Sequence, residues 1–293
     1  MCDDDIHPGI VQVGLEPKAG LSRRALGLTV LAAGAAARAT ASAAEADVVE
    51  TEVSVKTPDG VSDSVLYNPA KGTHPAVLIW PDIMGLRPVF RQMGRRLAGQ
   101  GYTVLVVNPF YRSHKAPVME GAIDFGNPDT RKVLMGYRGA MTNEGIDSDA
   151  QAYLAFLDAQ KATNRKKKAG VQGYCMGGAL SFRTAAAVPN RIGAVGSFHG
   201  GNGLVTDKPD SPHLLIPKTH AKFLVCQAQN DDKQSPAMKD QLKAAFDAAK
   251  VPASVSVYAA NHGWCVPGSQ VYDAGEAERA WTELLSLYKS SLT

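Results

Sequence analysis

From residue 48 onward, short apolar stretches alternate with longer segments whose apolar residues recur every three or four positions. Residues 48–56 run apolar and polar by turns, the period of a strand with one buried face. Thr57-Pro58-Asp59-Gly60 is a turn signal, because Pro presets one dihedral and Gly accepts backbone conformations that others avoid. Residues 65–67 then resume extended structure. Ala76-Val77-Leu78-Ile79-Trp80 is continuously apolar, as is a strand covered on both faces, and residues 103–107 read the same way. Between them, residues 88–98 read as a helix ended by Gly99 and Gly101. Further strands are predicted at 171–174, 194–198, 223–228 and 255–258, and helices at 148–159, 176–187, 235–249 and 274–288. This alternation predicts an α/β fold with a largely parallel central sheet flanked by helices on both faces. The Gly/Pro-rich residues 110–141 are the one long irregular stretch; such segments tend to be lids or binding loops. With no fixed-period repeat and no linker, residues 47–293 are expected to form one domain.

Composition narrows the possibilities without choosing among them. The chain has 293 residues, 45% hydrophobic and 20% charged, which excludes disorder and fibrous repeats. A net charge of +3 is too small for a nucleic-acid footprint. The one basic cluster, Arg165-Lys166-Lys167-Lys168, reads as a solvated turn. Four cysteines are too few for a disulfide framework, so each is judged as a local thiol.

The first 44 residues differ from the rest. Ser22-Arg23-Arg24 precedes a run of small and apolar residues at 25–37, followed by Ala41-Ser42-Ala43-Ala44. A membrane-spanning helix needs about 20 apolar residues, so this run predicts no stable membrane insertion. Basic residues, a short apolar run and small residues instead match a secretory signal cleaved near Ala44. The paired arginines point to the twin-arginine (Tat) export machinery. A periplasmic or extracellular location is the corresponding expectation.

Gly173-Tyr174-Cys175-Met176-Gly177-Gly178 closes a predicted strand and opens a predicted helix. That context is the one a nucleophile elbow needs, here with Cys in place of Ser in G-x-S-x-G. The glycines serve a steric purpose, since residues two before and two after the nucleophile approach neighbouring backbone. Helix N-terminal N–H groups favour the thiolate, the reactive form of the side chain. Cys226, in mid-strand, reads as packing. Such a nucleophile needs a base and a group to orient it. Gln229-Asn230-Asp231-Asp232 follows one later strand, and Asn261-His262-Gly263 follows the next. The order nucleophile, acid, His is that of α/β-hydrolases, with either Asp231 or Asp232 as the acid. His199, His213 and His220 lack metal-ligand spacing, and no phosphate-binding glycine loop is present, so neither metal nor cofactor is expected. His199, ending a strand at the active face, is a candidate pocket residue.

These residues together resemble the dienelactone hydrolase family of α/β-hydrolases. The resemblance covers nearly all of residues 48–290. It rests on Trp80-Pro81-Asp82-Ile83-Met84-Gly85, the Gly173-x-Cys175-x-Gly177-Gly178 elbow, Asn230-Asp231 and His262-Gly263-Trp264. It implies an α/β-hydrolase fold, Cys175 as nucleophile, His262 as general base and then acid, and Asp231 as the orienting carboxylate. It further implies an oxyanion hole from the backbone N–H groups of Ile83 and Met176. The family usually holds Glu where this chain has Asp82, a carboxylate that contacts the resting cysteine. The family's substrate-binding Arg after the catalytic His is replaced here by Cys265 and Val266. Arg112, Arg131 and Arg138 are the cations that could substitute, with His199 and Trp264 as further pocket candidates. The expectation is an exported hydrolase of a small-molecule ester or lactone. A thioesterase, acyltransferase or peptidase on the same fold, or a non-catalytic binding protein, are the alternatives.

Overall fold

The computed structural model describes residues 47–121 and 123–293, so the export signal read at residues 1–44 lies outside the described residues. The strands are β1 (Val48–Thr57), β2 (Gly60–Pro69), β3 (Ala76–Trp80), β4 (Thr103–Val107), β5 (Ala169–Tyr174), β6 (Ile192–Phe198), β7 (Lys222–Ala228) and β8 (Ala253–Tyr258). The helices are α1 (Pro88–Gly99), α2 (Pro128–Gly139), α3 (Asn143–Ala159), α4 (Met176–Ala187), α5 (Gln229–Gln234), α6 (Met238–Ala249) and α7 (Ala274–Ser291). Two 3-10 turns, Gly201–Leu204 and Pro212–Lys218, follow β6.

All eight strands join one sheet in the order β1-β2-β4-β3-β5-β6-β7-β8. The β1–β2 hairpin is antiparallel and β2 meets β4 antiparallel; from β4 through β8 every pairing is parallel. The buried parallel strands β3 and β4 have no exposed residue, which is why they read as unbroken apolar runs. Their alternate side chains enter two separate cores. Leu78 and Trp80 face one side with α3, α4 and α6 residues such as Tyr153, Phe182 and Phe246. Val77 and Ile79 face the other with Phe90 and Leu97 of α1 and Trp281 and Leu284 of α7. The observed architecture is thus the largely parallel α/β layering expected from the pattern, and the α/β-hydrolase fold that the resemblance implies.

Three boundaries differ from the sequence reading. Residues 110–141 are not wholly irregular: α2 lies within them, capped by the Asn127 side chain, which accepts from the N–H groups of Asp129 and Thr130. A single buried residue, Leu134, ties this helix down, so its apolar periodicity is faint. Helix α3 starts five residues before the predicted 148, with Thr142 as its cap. The helix predicted at 235–249 begins only at Met238 (α6), and a short helix, α5, precedes it over residues 229–234, with Ser235-Pro236 between them.

Candidate active site

The elbow between β5 and α4 is as tight as its glycines imply. Cys175 has φ 53° and ψ −118°, a conformation that a side-chain-bearing residue rarely adopts. A Cβ placed on Gly173 would lie 1.8 Å from the Gly177 carbonyl oxygen, far inside van der Waals contact. One on Gly177 would lie 2.4 Å from the carbonyl oxygen of Trp80 and 2.7 Å from that of Pro81. The turn therefore presses α4 onto the loop after β3, bringing Ile83 and Cys175 to the same small cavity. Met176 is the first residue of α4, where a backbone N–H has no partner inside the helix.

His262 follows β8 and Asp231 sits on α5, after β7. The parallel pairing of β7 with β8 carries both to the same sheet edge. His262 Nδ1 and Asp231 Oδ2 are 2.8 Å apart, and Asn230 Oδ1 accepts the backbone N–H of His262 at 2.8 Å. Asp231 is thus the carboxylate on the imidazole, whereas Asp232 accepts from the Lys239 ammonium at 2.7 Å. Cys175 borders the same two cavities as His262 and acts on the ring electrostatically, while Nε2 has no hydrogen-bond partner. Two effects oppose each other at His262. Burial disfavours the imidazolium, but the negative charges available on Cys175 and Asp231 outweigh it and raise the ring well above its ordinary range. A sulfur, an imidazole and a carboxylate gathered at one cavity are the groups a relay needs to ionise a thiol and move its proton.

Two cavities meet at Cys175 and His262. The larger, about 460 Å³, is of small-molecule size, and Arg138, Arg183 and Lys208 are among its walls. Arg183 is paired with Asp147. Arg138 donates to the Met141 carbonyl at 3.2 Å, and no carboxylate pairs with it among the described residues. The smaller cavity, about 20 Å³, is bordered by Asp82, Ile83, His199 and Ser269 as well as Cys175 and His262.

Several sequence-predicted site residues are placed differently. Asp82 borders the site, but its two oxygens accept from Arg87 at 2.5 and 2.8 Å, and Oδ1 also accepts from the Met84 N–H. The buried guanidinium thus occupies the carboxylate that the resemblance directs at the cysteine. Arg87 had no signal in the sequence, because its role arises only when the turn folds back on Asp82. Arg112 is not a wall of the large cavity; it bridges Asp59 and the buried Asp149. Arg131 lies over the Phe125 ring, 5.8 Å from its centroid, and is not a wall either. Arg138, four residues before Thr142, is the one arginine of the three that reaches the cavity. Trp264 is fully buried, stacked on Tyr258 and packed edge-on against His199, so it supports the site from behind. His199 borders the small cavity and contacts the His262 ring. Cys226 is buried packing, as expected, its thiol pushed up by burial. Among the described residues no cluster of His, Cys, Asp or Glu could hold a metal.

The chain matches the model of the dienelactone hydrolase family over residues 62–292. Among curated relatives, the carboxymethylenebutenolidase of Pseudomonas putida is 30% identical over 46% of this chain and 55% of its own. That of Rhodococcus opacus is 24% identical over 64% of this chain and 68% of its own. Of solved structures, a dienelactone hydrolase from Anabaena variabilis superposes with a TM-score of 0.61 at 17% identity, covering 84% of this chain and 99% of its own. A family match across most of the chain, on a scaffold of this topology, leads to one conclusion: this chain belongs to the dienelactone hydrolase family and is a hydrolase.

Proposed function

We propose that the protein hydrolyses a small-molecule carboxylic ester or lactone through a thioester formed on Cys175. The observation that carries this reading is an elbow cysteine that shares its cavities with His262, itself oriented by Asp231 at 2.8 Å. His262 accepts the thiol proton as general base, and the thiolate is the nucleophile. The thiolate attacks the carbonyl carbon, and the developing oxyanion is met by the backbone N–H groups of Met176 and Ile83. Collapse of the tetrahedral adduct breaks the C–O bond, and His262 delivers its proton to the departing alkoxide. Water then attacks the thioester, His262 accepts its proton, and the C–S bond breaks to release the acid and restore the thiolate. With Asp82 clamped by Arg87, the proton partner of Cys175 in this chain is His262.

Arg138, on the wall of the large cavity with no carboxylate paired to it among the described residues, supports an ester carrying a negative charge away from the scissile bond. The reading is tested with a chromogenic short-chain ester. Cys175→Ala and His262→Ala variants with wild-type circular dichroism are expected to lose turnover; activity retained in Cys175→Ala overturns the covalent mechanism. We further propose export through the Tat route, on the strength of Ser22-Arg23-Arg24 and the small residues at 41–44. N-terminal sequencing of the protein from the cell envelope is expected to begin near residue 45, and an intact Met1 there refutes the proposal.

A further inference from the structure

The turn that carries Ile83 is closed by charge. The Gly85 N–H donates to the Asp82 carbonyl at 2.9 Å, which makes Asp82-Ile83-Met84-Gly85 a β-turn with Ile83 and Met84 at its centre. The Asp82 side chain folds over the same turn, its Oδ1 accepting from the Met84 N–H at 2.9 Å. Arg87 then reaches back from the start of α1. Its guanidinium donates to both Asp82 oxygens, at 2.5 and 2.8 Å, and to the Gly85 carbonyl at 3.2 Å, so one side chain grips both ends of the turn. Behind it, the guanidinium carbon lies 4.9 Å from the centre of the Phe90 ring. Both charged side chains are almost wholly buried, 4% exposed for Arg87 and 6% for Asp82.

A buried ion pair contributes little net stability, because desolvation of the two charges offsets most of their attraction. What a bidentate pair does supply is direction, since two parallel N–H···O bonds admit a narrow range of geometries. Within the turn, the N–H groups of Met84 and Gly85 both donate to Asp82, whereas that of Ile83 has no partner among the described residues. Ile83 is 3% exposed, and a buried N–H without a partner is unfavourable. The ion pair thus holds a turn in which one backbone donor stays unpaired, on the loop that the elbow glycines press against Cys175.

Resting on the thioester reading above, we propose that Arg87 is a positioning residue for the oxyanion hole: its grip on Asp82 and Gly85 fixes the turn in which the Ile83 N–H stays available to the oxygen of the tetrahedral adduct. Attack of the thiolate on the ester carbon moves the C=O π pair onto oxygen, where the Ile83 and Met176 N–H groups meet it. The pair returns to the carbonyl when the C–O bond to the leaving group breaks. Hydrolysis of the thioester passes through a second adduct of the same kind, so both half-reactions depend on the donor. No step takes a proton from Arg87 or Asp82. A reaction of Cys175 that creates no oxyanion is then indifferent to Arg87.

The test compares two reactions of the same thiol in the full chain. With p-nitrophenyl acetate the thiolate attacks a carbonyl. With methyl methanethiosulfonate it attacks sulfur and displaces methanesulfinate, so no oxyanion forms; modification is followed on the Cys175 peptide by mass spectrometry. Arg87→Lys keeps the charge beside Asp82 and loses the fork. Asp82→Asn/Arg87→Gln removes both charges and leaves neither unpaired. The double variant is expected to lose about a hundredfold in kcat for the ester, the effect of removing one oxyanion donor. Its KM is expected to stay within about threefold, because the lost interaction belongs to the transition state. Arg87→Lys is expected to show a smaller loss of the same kind. In both, the rate of thiol modification, read at the alkaline plateau of its pH profile, is expected to match the wild type. If ester turnover and thiol modification fall together, the pair supports the site as a whole and the proposal is overturned. Unchanged ester turnover overturns it too. Arg87→Lys is judged by the same comparison, so a double variant that fails to fold leaves the outcome decided. Ester turnover retained in Cys175→Ala counts instead against the thioester reading itself.

Discussion

A single Cβ decides whether the elbow exists. Adding one at Gly173 would bring it to 1.8 Å from the Gly177 carbonyl oxygen, and that atom is backbone with nowhere to move. Gly173→Ala is therefore expected to destabilise the fold by at least about 3 kcal/mol, the upper end of ordinary overpacking penalties. Urea denaturation followed by circular dichroism measures it, together with a loss of ester turnover. Electrostatics at the same site gives a prediction with a definite sign. Because Cys175 and Asp231 raise His262 against the effect of burial, the imidazolium survives above its ordinary range. The alkaline limb of kcat/KM, which reports loss of that proton, should thus fall well above pH 6.5. Asp231→Asn removes one of the raising charges and should move the limb to lower pH. Asp232→Asn, whose parent carboxylate pairs with Lys239 instead, should leave it in place. A limb that shifts in the second variant and not the first would reassign the orienting acid.

At the scale of elements, the fold separates parts that are anchored from parts that are laid on. Helix α4 carries nine buried residues, among them Met176, Leu180 and Phe182, and it packs on the sheet beside α3. Helix α2, which supports Arg138 at the cavity wall, buries Leu134 alone. Amide hydrogen exchange should accordingly be much faster across residues 128–139 than across 176–187. The start of α3 is tied to the β1–β2 turn by charge: Arg112 bridges Asp59 and Asp149, and the Tyr111 hydroxyl donates to Asp149 at 2.7 Å. Asp149 is almost fully buried, so removing it leaves a largely buried guanidinium with Asp59, at the surface, as its remaining carboxylate. Asp149→Ala is expected to cost about 3 kcal/mol of stability in denaturant titration while leaving kcat/KM for a neutral ester within about twofold. This assignment also replaces the sequence-based expectation of Arg112 as a substrate contact.

For the molecule as a whole, the site is an assembly from distant parts. Cys175 comes from the β5–α4 turn, Asp231 and His262 from the ends of β7 and β8, and Ile83 from the loop after β3. The parallel pairing of β3, β5, β6, β7 and β8 puts the ends of these strands along one edge. The cavity above them takes its cations from elements on either side, Arg138 from α2 and Arg183 from α4. If a negatively charged ester is held there, Arg138→Met should raise KM for a carboxylated ester about tenfold, equivalent to about 1.4 kcal/mol. The same change should leave KM for a neutral ester of equal size unaltered, and equal effects on both would argue against charge recognition.

What could be read along the chain was whatever depends on neighbours in the chain. The strand and helix alternation followed from hydrophobic periods of two and of three to four. Strands β3 and β4 and helix α4 were legible to the residue because full burial on both faces, or a glycine-flanked start, leaves an unbroken local pattern. The elbow was legible for the same reason, since the glycines it requires are adjacent in sequence. Cys175 and His262, and the narrowing of the acid to two adjacent aspartates, followed from their order after successive strands. What remained for the tertiary structure were matters decided by direction and distance between remote groups. Asp231 and Asp232 differ by about 100° around a helix, so one turns to His262 and the other to Lys239. Asp82 was expected at the cysteine and is instead held by Arg87, a pairing made only when the turn closes. Arg112, Arg131 and Arg138 look alike in sequence, and packing alone sends the first to Asp149, the second over Phe125 and the third to the cavity. Local sterics are written in consecutive residues; the partner of a charge is settled only by where the rest of the chain comes to lie.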